Sequence, residues 1–431
     1  MSNIISMNTI FGNSLNKIDS ILSRNEHPSS TVRVFNKGNN DSILNESATL
    51  PIRYETDKTL MAYDRNFIVE NYGENDYSFD VVKIGTHPDF DDLDHSNYLM
   101  HHCVSMFVDI KGSTKLIDKY SISEVRLIKD TILTLIINVV SQFGGHVQRL
   151  QGDGVFILFA RRDKSHINSI INALNASSLL AQFISVDLAD IFKKNNINPL
   201  RIRAGIDYGD KDKVIWSYYG IPGCDELTTT SLHTDMAAKL QAKAMDNCIM
   251  IGSNIANELD LTKEYISHYY AKDGSREEVF HVTSTLTYKF YVFEWKKYLS
   301  KHPNFKLLLS NVIRYDKPKL YIKCEYELND ITTEYHPNSK GIPKTSTINF
   351  TLYENGNLYF RKNFEEIKWT IFNTGNEAKQ DNCVEQEVDK ASKNQNNCTT
   401  HAKYLGLHKI QCKLLRNNSE NINIEFPVIV Y

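Results

Sequence analysis

The 431-residue chain has no run approaching the roughly 18 apolar residues of a membrane span, no CxxC pair and no large excess of either charge. The first absence argues against a membrane anchor. The N-terminus also lacks a basic segment followed by an apolar one, so a cytoplasmic protein is expected. Seven cysteines, at 103, 224, 248, 324, 383, 398 and 412, are odd in number and scattered, which excludes a disulfide framework and suits reduced thiols. His101, His102 and Cys103 are adjacent and lack the spacing of a zinc site. A formal net charge of -3 gives no global field to recruit polyanions, so no DNA or membrane contact is expected.

What is present begins with length. The chain exceeds what one core usually serves, so two or three domains are expected. Residues 1–99 read as a partly ordered N-terminal extension, with polar stretches such as NKGNNDS and an ordered loop at KIGTHPDFDDL (83–93). From 104 the periods become legible. VSMFVDI reads as a strand. Val125, Ile128, Ile132, Leu135, Ile136 and Val139 recur at three- and four-residue steps, which predicts a helix over about 123–143 that Gly144-Gly145 stops. HVQRLQGDGVFILFA (146–160) alternates on both sides of a Gly-Asp-Gly turn, as a β-hairpin does.

A second helix is expected at 165–194, strands at about 200–206 and 214–219, a helix at 231–246 and a strand at 248–251. The order strand, helix, strand, strand, helix, strand is that of ferredoxin-like sheets. We read 100–265 as this domain, 266–300 as a connector, and 301–431 as an all-β sandwich, giving an α+β protein. Within the sandwich the polar stretch 376–400 reads as a long flexible loop.

Two acids stand out. Asp109 ends the first strand, just before the small polar turn Gly112, Ser113 and Thr114, and Asp153 sits in the hairpin turn. Taken singly, each is an ordinary cap or turn residue. Taken together, they lie on neighbouring strands about 5 Å apart, where two carboxylates can share divalent cations. With the Ile110 carbonyl and phosphate oxygens they suit Mg²⁺ or Mn²⁺. The free N–H groups of the turn suit phosphate.

FVDIKGST, GGHVQRLQGDGVFILF and LTTTSLHTDMAAKLQ resemble, in that order, the motifs of the class III nucleotidyl cyclases. The resemblance implies that Asp109, Ile110 and Asp153 bind two metal ions, Mn²⁺ or Mg²⁺, which activate the ribose 3′-hydroxyl as pyrophosphate leaves. Arg149 stands where purine-using members usually carry Lys, and Thr228 aligns with the base-contacting position. Asp235 and Lys239 align with the family's transition-state Asn and Arg. These two are four apart on one helix face, so an internal ion pair is the competing expectation. The family's sites are composite, which implies a homodimer, with Asp109 and Asp153 from one chain and Arg149, Thr228 and Lys239 from its mate.

KWTIFNTGNEA (368–378) and YLGLHKIQC (404–412) look like the sensor-type β domain that follows cyclases of bacterial defence systems. Taken alone, Trp369 would be a core residue and Asn373-Thr374-Gly375 a hairpin turn. The combination resembles the pyrimidine cyclases of Pycsar antiphage systems. That implies conversion of CTP, or alternatively UTP, into a cyclic nucleotide that activates an effector. A purine cyclase with an unusual pocket, and an inactive cyclase fold that signals by binding nucleotide, stand as rival readings.

Overall fold

Strand β1 (Cys103–Ile110) has both faces covered and a hydrogen-bonded neighbour on each edge, which is why its sequence is almost continuously apolar. The structure, a computed structural model, describes residues 3–4, 19–20, 22–23, 65–73, 76–77, 79 and 82–431, except 364, 389–393 and 417–419. Most of the segment read as an N-terminal extension thus lies outside the described residues. Helix α1 (Ile122–Gln142) starts at a capping box in which Ser121 and Glu124 satisfy each other's backbone N–H groups. It buries Val125, Ile128, Ile132, Leu135 and Ile136.

The hairpin β2 (His146–Gln151) and β3 (Gly154–Phe159), helix α2 (His166–Phe183) and strand β4 (Ile202–Gly209) follow. The strand order is β4–β1–β3–β2 with every neighbour antiparallel, the ferredoxin-like arrangement that the sequence implied.

Several strands were not read from the sequence, Cys224–Thr230 and Thr287–Phe293 among them. The strand β5 (Ile215–Ile221) was expected; its antiparallel partner β6 (Cys224–Thr230) was not, because CDELTTT lacks an apolar alternation. Helix α3 (Leu232–Lys243) and strand β7 (Cys248–Gly252) come next, and β7 runs parallel to β4. The strand β8 (Thr287–Phe293) then pairs with β7, so residues 266–300 contribute a strand of the same sheet rather than only a connector. The short helix α4 (Trp295–Ser300) buries Trp295, Tyr298 and Leu299.

The helix that starts with α2 continues to Lys194 and is long and apolar enough to cross a membrane, which a search for consecutive apolar residues does not show. It is a core helix: 89% of its apolar window is buried. The sheet covers one side, and the C-terminal sandwich closes part of the other. There the amide of Asn175 donates to the Asn338 carbonyl (2.8 Å), and the Gly341 N–H to Asn168 Oδ1 (2.7 Å).

The sandwich packs β9 (Leu320–Leu328) and β10 (Thr347–Glu354) over β11 (Glu365–Phe372), β12 (Gly406–Arg416) and β13 (Ile422–Val430). Its core includes Ile322, Phe350, Trp369, Cys412 and Phe426. Trp369 is a core residue as expected, its Nε1 donating to the Gln395 carbonyl at 3.1 Å. Asn373-Thr374-Gly375 is not a hairpin turn; it leads into a short helix, Gly375–Gln380, with Gly375 at φ +88. Residues 376–400 are likewise not one flexible loop. Besides that helix they form strands Glu385–Glu387 and Asn397–His401, while 389–393 lie outside the described residues.

Candidate active site

The hairpin turn brings Asp153 beside the end of β1. Gly152 adopts φ +66, and Gly154 lies so close to β1 that a Cβ there would stand 3.3 Å from the Val108 carbonyl and 3.9 Å from Asp109 Oδ1. Both acids are about four-fifths buried. Asp109 Oδ2 accepts hydrogen bonds from Arg203 Nε (2.9 Å) and Nη2 (2.6 Å) and from Gln241 Nε2 (3.2 Å). Arg203 faces Asp109 in the β1–β4 register and also donates from Nη1 to the Ala242 carbonyl at the end of α3.

Asp153 Oδ1 accepts from Lys129 Nζ of α1 at 3.3 Å, while its Oδ2 is buried and accepts no hydrogen bond.

The carboxylates are electrostatically coupled. Burial, reinforced by the neighbouring Asp153, pushes Asp109 above the usual carboxylate range against the pull of Arg203. Burial also acts to raise Asp153, but the Ser113 hydroxyl, Asp109 and Lys129 together hold it below that range. An orphaned acceptor between two crowded acids is the environment a cation fits. Among the described residues no group of three or more His, Cys, Asp or Glu could hold a metal ion, so a divalent ion here would rest on two carboxylates plus backbone and substrate oxygens. The adjoining turn starts with Gly112 in the left-handed region (φ +76), and Ser113 is buried.

The other candidate residues divide into two groups. On β2 a register shift between Val147 and Arg149 turns the strand. Arg149 is held by Glu226 of β6, with Nε donating to Oε1 at 2.8 Å and Nη2 paired to Oε2. Gln148 donates to the same Glu226 Oε1 (3.2 Å) and to the Leu227 carbonyl (2.6 Å). Thr228 lies two residues along the strand from Glu226, opposite Ser217.

Asp235 and Lys239 are both exposed on α3 and form no ion pair with each other, so the competing expectation of an internal pair is not met. Among the described residues, no hydrogen bond or ion pair links Asp109 or Asp153 to Arg149, Thr228, Asp235 or Lys239.

Arg203, Gln241, Lys129 and Glu226 were missed in the sequence, because each meets its partner across strands or helices whose register the sequence does not state. Gly205 carries a related signal. A Cβ there would overlap the Ala237 carbonyl and the Gln241 N–H, so α3 lies directly on the β4 backbone.

Residues 263–430, which take in β8 and α4, match the family described as the adenylyl/guanylyl and SMODS C-terminal sensor domain. A cytidylate cyclase of Staphylococcus aureus is 38% identical over 350 residues, 79% of this chain and 81% of that protein. The chain belongs to the cytidylate cyclase family. A second member, from Escherichia coli, is 31% identical over 417 residues, 91% of this chain and 88% of its own. Among solved structures, the adenylyl cyclase CyaB of P. aeruginosa is 16% identical over 46% of this chain and 95% of its own, with a TM-score of 0.38.

Proposed function

We propose that the protein is a pyrimidine nucleotide cyclase that converts CTP to 3′,5′-cyclic CMP and pyrophosphate. The observation that carries the reading is the Asp109–Asp153 pair with its orphaned Oδ2, in a chain akin to cytidylate cyclases over most of its length. Asp109, the Ile110 carbonyl and Asp153 would hold Mn²⁺ or Mg²⁺, which when bound supplies positive charge to the triphosphate and to the reacting ribose oxygen. Arg203 and Gln241 orient Asp109 by occupying Oδ2, which leaves Oδ1 available. The turn at Gly112, Ser113 and Thr114 receives phosphate oxygens on its N–H groups.

Arg149 offers paired hydrogen bonds to a base edge or phosphate, and Thr228 a hydroxyl to the base. Glu226 holds the guanidinium in place in the free chain. Lys239 supplies a cation to the developing phosphate charge, with Asp235 beside it on the same exposed helix face. Among the described residues no hydrogen bond or ion pair joins the metal acids to Arg149, Thr228, Asp235 or Lys239 within one chain, which supports a homodimer whose sites take the acids from one protomer and the remaining groups from its partner. The product would act as a second messenger that switches on an antiphage effector. A reducing cytoplasm suits seven free thiols, four of them buried.

The test is incubation of the purified protein with Mn²⁺ and each of ATP, GTP, CTP and UTP, with products resolved by mass and chromatography. Cyclic CMP from CTP is expected. Cyclic UMP alone would move the substrate to UTP, a cyclic purine would overturn the pyrimidine reading, and no product from any triphosphate would favour the binding-only reading.

A further inference from the structure

Helix α3 is anchored at both ends, and the anchors differ in origin. At its C-terminal end, Gln241 and the Arg203–Ala242 contact tie it to Asp109. At its start, Thr234 meets Ser105 (2.9 Å) of β1 in the main sheet and Thr229 (3.0 Å) of β6 in a separate three-stranded sheet. The opposite side of that first turn reaches further. His233 Nδ1 lies 3.0 Å from Asp207 Oδ2, and the Tyr288 hydroxyl donates to the same oxygen at 2.6 Å. Oδ1 of Asp207 accepts the Tyr208 N–H at 2.8 Å. Asp207 is fully buried, and His233 and Tyr288 are each less than a tenth exposed.

The surroundings are shaped for this contact. A Cβ on Gly252 would overlap both the Asp207 carboxylate and the Tyr288 hydroxyl, so only glycine lets the three groups meet. Asn254 Nδ2 stands 3.4 Å from both imidazole nitrogens while donating to the Tyr208 carbonyl at 3.0 Å. Tyr288 belongs to β8, within the residues that match the sensor-domain family, whereas Asp207 and His233 lie before the start of that match. Of the hydrogen bonds described at the first turn of α3, those of Tyr288 come from within the sensor-family match, on a strand that itself pairs into the main sheet.

We infer that Tyr288 is a positioning residue for cyclisation. Its hydroxyl, through Asp207 and His233, fixes the start of α3 and so the placement of Lys239, and it gives the C-terminal region a direct hold on the active site. The inference rests on the reading that Lys239 faces the substrate. Groups that act mainly in the transition state appear in kcat rather than KM.

The experiment uses the full-length protein and a double-mutant cycle with CTP and Mn²⁺. Tyr288→Phe keeps the ring against His233 and removes one hydroxyl. It is expected to lower kcat about tenfold with KM changed less than about threefold. In the Lys239→Ala background the same change is expected to have no further effect, because the helix then has no group left to position. Multiplicative losses would show general damage and overturn the inference, as would Tyr288→Phe with unchanged kcat. Lys239→Ala with full activity would instead overturn the reading of α3, and this inference with it.

Should Tyr288→Phe fail to fold, His233→Asn, whose amide can reach Asp207 as Nδ1 does, is expected to retain activity that His233→Ala loses. Equal losses in both would refute the role.

Discussion

Asp153→Asn should make the metal-free protein more stable while abolishing its activity. Two unit charges about 5 Å apart at an effective dielectric near 20 repel by about 3 kcal/mol. In this protein Arg203 offsets much of that by occupying Asp109 Oδ2. The substitution also gives up the Lys129 pair, which at 3.3 Å and partly exposed contributes about 0.5–1 kcal/mol. The amide can in addition donate toward Asp109, and it removes the Asp153 charge that helps push Asp109 up, which outweighs the weaker contact with the Ser113 hydroxyl. The balance is a gain of about 1 kcal/mol, or roughly 2–4 °C in melting temperature.

The assay is a thermal melt in EDTA and again with Mn²⁺, beside a turnover measurement. The wild type should rise in melting temperature on adding Mn²⁺, by mass action on the folded state. Asp153→Asn should start higher, rise little, and make no product. A variant that melts lower in EDTA, or that Mn²⁺ stabilises as strongly as wild type, would refute the argument that this carboxylate pair is a strained cation site.

Further outcomes follow from the same geometry. Asp109→Ala and Arg149→Ala chains should each be inactive as homodimers, yet an equal mixture should recover about a quarter of wild-type activity. Half the random dimers are mixed, and each of those has one intact site of two. No recovery on mixing would count against composite sites. Mn²⁺ affinity, read by calorimetry, should weaken about tenfold per pH unit as pH falls through the raised Asp109 value, because the cation displaces that proton. The sign for the metal-free fold is opposite. A raised folded value means the Asp109 contribution to stability is fully present below its unfolded value, about 3.9, and is lost as pH rises through the folded one. An affinity independent of pH across the acid range would exclude Asp109 as a ligand.

The sequence carries its local periods plainly and its long-range register hardly at all. Helix α1 was legible because Val125, Ile128, Ile132, Leu135 and Ile136 all face one core, and the β2–β3 hairpin because Gly-Asp-Gly interrupts a clean alternation. Strand β6 was hidden because three of its seven residues are exposed and its composition is that of a loop. The two acids were found because each ends or joins a strand. What orients them was not: the facing of Arg203 to Asp109 depends on β4 pairing with β1 across 94 positions of sequence. Glu226 was invisible for the same reason, being held to Arg149 across 77 positions.

The geometry also weighs on the reading of an inactive, binding-only fold. In such a protein Asp109 and Asp153 would be free to drift to residues that pack without conflict, since neither acid is required by the sheet. Instead a largely buried pair persists with one carboxylate pushed up, the other held down, and one oxygen unsatisfied. Arrangements of that kind cost stability and persist where a ligand or a reaction uses them. Asp235 and Lys239, the strongest support for an inactive fold when read as an altered pair, do not neutralise each other and remain exposed on α3. A structural ion pair would have closed that face. An unpaired cation one turn from Asp235, on a helix whose far end is tied to Asp109 through Gln241 and Arg203, is instead suited to meet a substrate phosphate.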